Sequence, residues 1–485
     1  MKKILFKSSL KILLNLGLGV LLITGCAVGP NFHRPSTPEP AAFANASALF
    51  STTGTVEMAW WRVFNDTTLE RLITLASTNN YDLRLAQARL HEARALWKTV
   101  RFDYAPTIRS ENFFEKSQAS TAAKPGLDRD ARQGELYRVG FDSTWELDLW
   151  GRVRRKVEAA RNTVEAVEAS RDDVLVSVRA EVAANYLEYR GIQAELNVAR
   201  RNATNQAETL KLAEALRDGG QATQLDVARS RSLLNSTLAT VPPLESVLQR
   251  AAYRLAVLCG QPPASLRDEL SPPAPLPTGP AEIVLGNPSD LLRRRPDIRA
   301  AEFSLAAATA RIGVEVADLF PSVTFVGTIG LEAKNFSGLT ASGAGSWGFG
   351  PHISWAAFDL GRVRQRIRAA DARAEGALAI YEQTVLLALE ETESSLVILS
   401  HERERVGYLR ESERASAEAV DLARQRYRDG IADFLSVLDA ERTLLSLQEQ
   451  LVLSETRTAT SLVALYKALG GGLPAPGVGE MRLHP

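Results

Sequence analysis

Along the chain the spacing of apolar positions switches from a helical period to a two-residue period and back, and it does so twice in the same order. Residues Asp82–Asp103 and Asp297–Leu319, rich in Ala, Leu, Arg and Glu, read as helices that stop before Pro106 and Pro321. Proline has no N–H and restricts the residue before it, so it ends a helix. Strict alternation follows. In the second copy Val323, Phe325, Ile329 and Leu331 share one face, with Thr324 and Thr328 on the other. Beyond a small polar loop, Lys334–Gly345, the residues Trp347, Phe349, Ile353 and Trp355 alternate with Ser346, Gly348, His352 and Ser354. The first copy has Tyr137, Val139, Phe141, Trp145 and Leu147 against Arg138, Asp142, Thr144 and Glu146. Its leading strand, Thr107 towards Ser117, alternates poorly and is expected from the repeat alone.

Each pair of strands is followed by a long proline-free stretch, Gly151–Asp218 and Gly361–Asp429. As continuous helix each would reach about 100 Å. Shorter return helices are expected at Gln221–Leu258 and Ile431–Leu469, with a kink at Pro242-Pro243 that has no counterpart in the second copy. Glycine in the Arg-Asp-Gly turns supplies the left-handed conformation that reverses the chain.

Matched landmarks make this a tandem duplication. Asp82-Leu83-Arg84 through Pro106 lines up with Asp297-Ile298-Arg299 through Pro321 at an offset of 215 residues. Trp145 to Val153 matches Trp355 to Val363 at an offset of 210. Arg217-Asp218-Gly219-Gly220 with Leu225 and Val227 is set against Arg428-Asp429-Gly430 with Leu435 and Val437. The expected organisation is a cleaved signal at 1–25, an N-terminal segment at 26–65 and a first repeat at 66–262, with its β-hairpin near 106–149 and helical tip near 217–220. A proline-rich linker at 263–290 leads to a second repeat at 291–472, with hairpin near 321–359 and tip near 428–430, and a tail at 473–485.

The N-terminus adds a compartment. Lys2, Lys3, Lys7 and Lys11 precede an apolar stretch, Ile12 to Ile23, too short to span comfortably, as in a secretory signal. Ile23-Thr24-Gly25-Cys26 resembles a bacterial lipobox, which implies cleavage before Cys26 and a covalent lipid on it. Ala27 in the next position favours the outer membrane by analogy with lipoprotein sorting. Without residues 1–25 the chain carries 53 basic and 57 acidic groups; no basic excess points to nucleic acid. If Cys26 is lipidated, Cys259 has no disulfide partner and reads as a small apolar residue. The five histidines show no metal spacing. The Gly343 to Gly348 string fits G-x-G-x-x-G but precedes a strand, so it cannot cradle phosphate as a helix N-terminus does. No catalytic constellation, metal site or cofactor other than the lipid is expected.

Apolar-out, polar-in alternation suits a transmembrane barrel strand, although a soluble sandwich strand reads the same. Four strands cannot close a membrane barrel, and an open edge in lipid is forbidden, so several chains must contribute. Two chains or three satisfy this count equally.

The run Cys26-Ala-Val-Gly29-Pro30-Asn-Phe-His-Arg34-Pro35 resembles the start of the lipoprotein branch of the TolC-like outer-membrane factors. Trp60-Trp61 with Phe64, the run Leu291 to Glu302, and Arg426 to Leu435 match that family as well, so the resemblance covers essentially the whole mature chain. It implies a mainly α fold with a transmembrane β-barrel: a homotrimer whose four strands per chain make a 12-stranded outer-membrane barrel over a periplasmic α-helical tunnel. It implies docking onto a periplasmic adaptor protein, which couples the duct to an inner-membrane transporter of the resistance-nodulation-division type. The function so implied is a passive exit duct for small toxic compounds, not an enzyme. A duct for type I protein secretion and a structural envelope-spanning coiled-coil lipoprotein are the alternatives. By the same resemblance Leu435 and Asp439, braced by Arg426, form the closed end of the tunnel. Asp439 lies about one turn beyond Leu435, so both can face one side. Arg217, Asp218, Gly219, Gly220, Arg428, Asp429 and Gly430 are the expected adaptor-docking tips.

Overall fold

A computed structural model describes residues 27–36, 42–45, 50–51 and 57–473. The signal, the lipid attachment at Cys26 and nearly all of the tail lie outside the described residues. The elements in chain order are β1 (Phe50–Ser51), α1 (Thr67–Asn79), α2 (Tyr81–Arg101), β2 (Thr107–Gln118), β3 (Gln133–Leu147), α3 (Arg152–Asp218) and α4 (Gln224–Leu258). The second half continues with α5 (Arg267–Leu270), β4 (Ile283–Val284), α6 (Pro288–Arg294), α7 (Pro296–Ala317), β5 (Ser322–Ala333), β6 (Gly345–Ser354), α8 (Leu360–Arg428) and α9 (Phe434–Ala468). No helix among the described residues is long and apolar enough to cross a membrane. The compact units are not the sequence repeats. Of the described residues, one unit gathers 27–36, 89–168 and 300–382, the other 42–45, 50–51, 57–88, 169–299 and 383–473, so each repeat contributes to both.

The first unit holds an antiparallel sheet in the order β2-β3-β5-β6. The register puts Tyr137 opposite Phe114, Val139 opposite Leu331, Phe141 opposite Ile329 and Ile329 opposite Trp347. Directly opposed residues share a face, so the apolar residues of three strands merge into one exposed apolar surface. Trp347 is 75% and Phe349 73% exposed. The other face carries Arg138, which pairs with Asp142 at 2.9 Å and with Glu332 at 3.6 Å. Strand β2 puts only Ile108 and Phe114 on the apolar face beside Ser110 and Asn112, which is why its own pattern is weak. Its register is set by the ladder with β3. The duplication extends to hydrogen bonds: Trp145 Nε1 donates to the Tyr104 carbonyl at 3.1 Å, and Trp355 Nε1 to that of Leu319 at 3.0 Å.

In the second unit β1 and β4 pair in parallel. Helix α1, capped by Asp66, buries Leu69, Leu72, Ile73 and Ala76. Both return helices end on a polar side chain from the other end of their own repeat. Asn80 donates to the Leu258 carbonyl at 2.9 Å, and Arg295 to that of Ala468 at 3.0 Å. Cys259 is buried, its thiol against the Leu72 carbonyl, and burial pushes its pKa up to about 11. The proline pair does not interrupt the first return helix: α4 runs on through Pro242 and Pro243. The missing donors would have served the carbonyls of Leu238 and Ala239, both exposed to water, so their loss is tolerated.

Candidate functional site: the helical hairpin tips

Helices α3 and α8 each end in the same cap. Gly220 N–H donates to the Arg217 carbonyl at 2.9 Å and Gln221 N–H to that of Leu216 at 2.8 Å. In the second copy Gly430 N–H donates to Tyr427 at 3.0 Å and Ile431 N–H to Arg426 at 2.8 Å. This crossed pair of bonds is the Schellman arrangement, which needs a left-handed residue. Gly220 has φ of 75° and Gly430 of 69°. The counterpart of Gly430 is therefore Gly220, at the offset of 210; Gly219 still bonds back to the Ala215 carbonyl as a helical residue does. Matching Arg-Asp-Gly by identity places the turn one residue early.

Each return helix then starts on a capped residue. Thr223 and Asp226 exchange bonds in a capping box. Asp433 accepts from Ser436 N–H at 3.0 Å and from its hydroxyl at 2.6 Å, and these bonds hold its carboxyl below the ordinary range. Ala213, Val227, Leu233, Phe434, Val437 and Leu438 form the core of the tips, with Tyr427 packed on Phe434 at 5.0 Å between ring centres. Burial and the charge of Asp226 raise the Tyr427 hydroxyl pKa.

Leu435 (43% exposed), Asp439 and Arg442 lie away from this core on one exposed face of α9. Leu225 and Ile431, 56% and 67% exposed, give the tips apolar surface. Arg426 is exposed, and its carbonyl closes the turn by accepting from Ile431 and Ala432. Among the described residues no ion pair joins Arg426 to Asp439 in one chain.

Arg424 holds a buried carboxylate here. It pairs at 2.8 Å with Glu441, whose side chain is 5% exposed, and the same oxygen accepts from Thr209 of α3 at 2.8 Å. The sequence signal lay in the repeat. At the offset of 210 the positions of Arg424 and Glu441 are held by Glu214 and Arg231, which pair at 3.0 Å with the signs exchanged. A second duplicated pair keeps its signs: Arg200–Glu245 at 2.6 Å and Arg410–Glu455 at 2.8 Å.

The chain matches the family model described as outer membrane efflux protein over residues 72–261 and 287–471, one block for each repeat. Nodulation protein T of Rhizobium leguminosarum bv. trifolii is 30% identical over 457 residues, which is 93% of this chain and 96% of that protein. Outer membrane protein OprJ of Pseudomonas aeruginosa is 31% identical over 461 residues, 94% of this chain and 96% of that protein. Among solved structures, the outer-membrane channel OprN superposes with a TM-score of 0.88 at 43% identity, covering 92% of this chain and 99% of that one. The MtrE outer membrane channel of Neisseria gonorrhoeae gives 0.80 at 29% identity, with 92% and 99% covered. The chain therefore belongs to the outer membrane efflux protein family, as a trimeric TolC-like efflux channel of the outer membrane that extends into the periplasm.

Proposed function

We propose that three copies of this chain form a passive exit duct for small organic toxicants. A periplasmic adaptor docks on the tips, and an inner-membrane transporter of the resistance-nodulation-division type supplies the energy. One observation carries the reading: a four-stranded sheet with an apolar, aromatic face across β3, β5 and β6, charged residues on the opposite face, and edges at β2 and β6 that pair with no other strand among the described residues. Such edges are untenable in lipid unless other copies pair with them. Three four-stranded sheets closed edge to edge give twelve strands with apolar residues outward. The chain itself does no chemistry in this reading. The relatives include a toluene efflux pump outer membrane protein of Pseudomonas putida, which supports organic solvents as a class carried.

At the tips Leu435 and Asp439 form the constriction. Three copies of each face one another around the axis, an apolar ring beside a ring of carboxylates that admits cations. The anchor is a lipid on Cys26. Deletion of the gene and complementation test the duct: sensitivity to solvents and hydrophobic antibiotics rises on deletion and is restored by the wild-type gene. A photo-crosslinker at Ile431 should capture the adaptor. A deletion strain with unchanged susceptibility across such a panel overturns the efflux reading.

A further inference from the structure

The residues that follow Cys26 are not a loose tether. Val28 N–H donates to the Trp150 carbonyl at 3.0 Å, where the chain leaves β3 for α3. One turn into α3, Arg155 is only 3% exposed. Its Nε donates to the Val28 carbonyl at 3.1 Å, and Nη2 to the Gly29 carbonyl at 3.2 Å and to Asn31 Oδ1 at 2.7 Å. Nη1 is left for Glu158 at 2.8 Å. Arg34 pairs with Glu302 at 3.2 Å further along the same segment.

The fit is too close for side chains. A Cβ on Gly29, whose φ is 88°, would lie 2.5 Å from the Gly313 Cα; one on Gly313 would lie 2.8 Å from Arg155. One on Gly151 would lie 2.6 Å from Ala27. Arg155 is thus a buried cation with one carboxylate partner, its other bonds taken by residues 28–31. Were that segment to leave, three hydrogen bonds from the guanidinium would be lost at once.

We propose that Arg155, with Gly151 and Gly313, forms a seat that locks residues 27–31 to the root of the sheet, so that the lipid on Cys26 is delivered at a fixed position beside the strand-to-helix junction. Ala27, which follows the lipid-bearing position in the sequence, lies directly against Gly151. The proposal rests on the reading of Cys26 as acylated. The seat couples that anchor to the membrane sheet directly: lipid inserted in the leaflet and strands inserted in the bilayer are held in one register.

The test uses full-length trimer in isolated outer membranes, treated with chymotrypsin, with the N-terminal peptide cut after Phe32 quantified by mass spectrometry. The wild type should be protected. Arg155→Leu and Gly29→Ala should each release the acylated peptide at least about tenfold faster, as expected when a docked segment opens locally. Arg155→Lys should fall between, because an ammonium cannot reach all the fixed acceptors that the guanidinium fork does. Heat-resistant trimer on a gel reports assembly; Gly29→Ala, which alters only the segment, keeps the test valid if Arg155→Leu fails to assemble. An acylated peptide released at the wild-type rate from an assembled Gly29→Ala trimer overturns the seat. A peptide with an unmodified Cys26 overturns the lipid reading instead, and the same spectrum tells the two apart.

Discussion

Replacing Glu441 by Ala separates the two copies of one ion pair. The Glu441 carboxylate takes bonds from Arg424 at 2.8 and 3.1 Å and from Thr209 at 2.8 Å. Breaking a fully buried pair costs about 3–5 kcal/mol. That figure is discounted here because the Arg424 side chain is 32% exposed and can rehydrate. The Thr209 hydroxyl, left without Glu441, can turn its one proton to the Asn205 carbonyl at 3.1 Å. A local loss of about 2–3 kcal/mol remains. In the first copy the equivalent Arg231–Glu214 pair is 56% and 36% exposed, so Arg231→Ala should cost about 1 kcal/mol or less. A membrane trimer does not unfold in two states, so the assay is native-state hydrogen exchange followed by mass spectrometry. Amides of α8 and α9 around the pair should exchange about 30–150-fold faster in Glu441→Ala, and at most about fivefold faster around Arg231→Ala. Equal acceleration at the two sites would show that burial does not set the difference, and the reasoning would be refuted.

Gly430→Val and Gly220→Val should each weaken adaptor cross-linking at the tips while trimers still insert, since a β-branched residue is strained at positive φ; Gly219→Val, outside the left-handed position, should do less. Normal cross-linking in the first two would separate the tips from docking. Asp439→Ala should raise single-channel conductance and antibiotic leakage and weaken cation selectivity, and unchanged recordings would remove it from the constriction. Burial, and then the charge of Glu449, raise the Glu195 carboxyl pKa above its ordinary 4.5. A raised acid destabilises the folded state above its folded pKa and ceases to do so below the unfolded one. Glu195→Gln should therefore raise the temperature of trimer dissociation at pH 7, and the gain should vanish below about pH 4.5; a gain independent of pH would assign the effect to packing.

Periodicity located the strands because each of their faces meets one environment, lipid or water, along its length, and the long helices were legible as stretches without proline. It left β2 to the repeat, since Ser110 and Asn112 interrupt its apolar face and only pairing with β3 fixes the register. The tips were legible to within one residue. Identity aligned Asp-Gly with Asp-Gly, whereas the cap is decided by which glycine can offer its N–H to a carbonyl three residues back. The repeat marked Arg424 and Glu441 through their counterparts Glu214 and Arg231, but the contact with Thr209 was out of reach. Its partners lie up to 232 residues apart, and charges on a helix of mixed sign do not announce which of them are buried. Residues 27–31 gave a family signature in the sequence, but nothing there named Arg155 as the group that holds them.

The two repeats keep one offset of 215 from α2 to the end of the leading strand, and one of 210 from Trp145 to the last glycine cap. The whole difference falls between the leading strand and Trp145: the connection after β2 spans residues 119–132, against the shorter 334–344 after β5, and β6 begins two positions later in its repeat than β3 does. In a trimer the hairpin tips therefore repeat nearly six times around the axis, while the loops joining the strands alternate long and short and repeat only three times. A binder evolved against the tips can occupy nearly equivalent sites at two stoichiometries. One raised against the strand loops meets two chemically distinct crests and must choose between them.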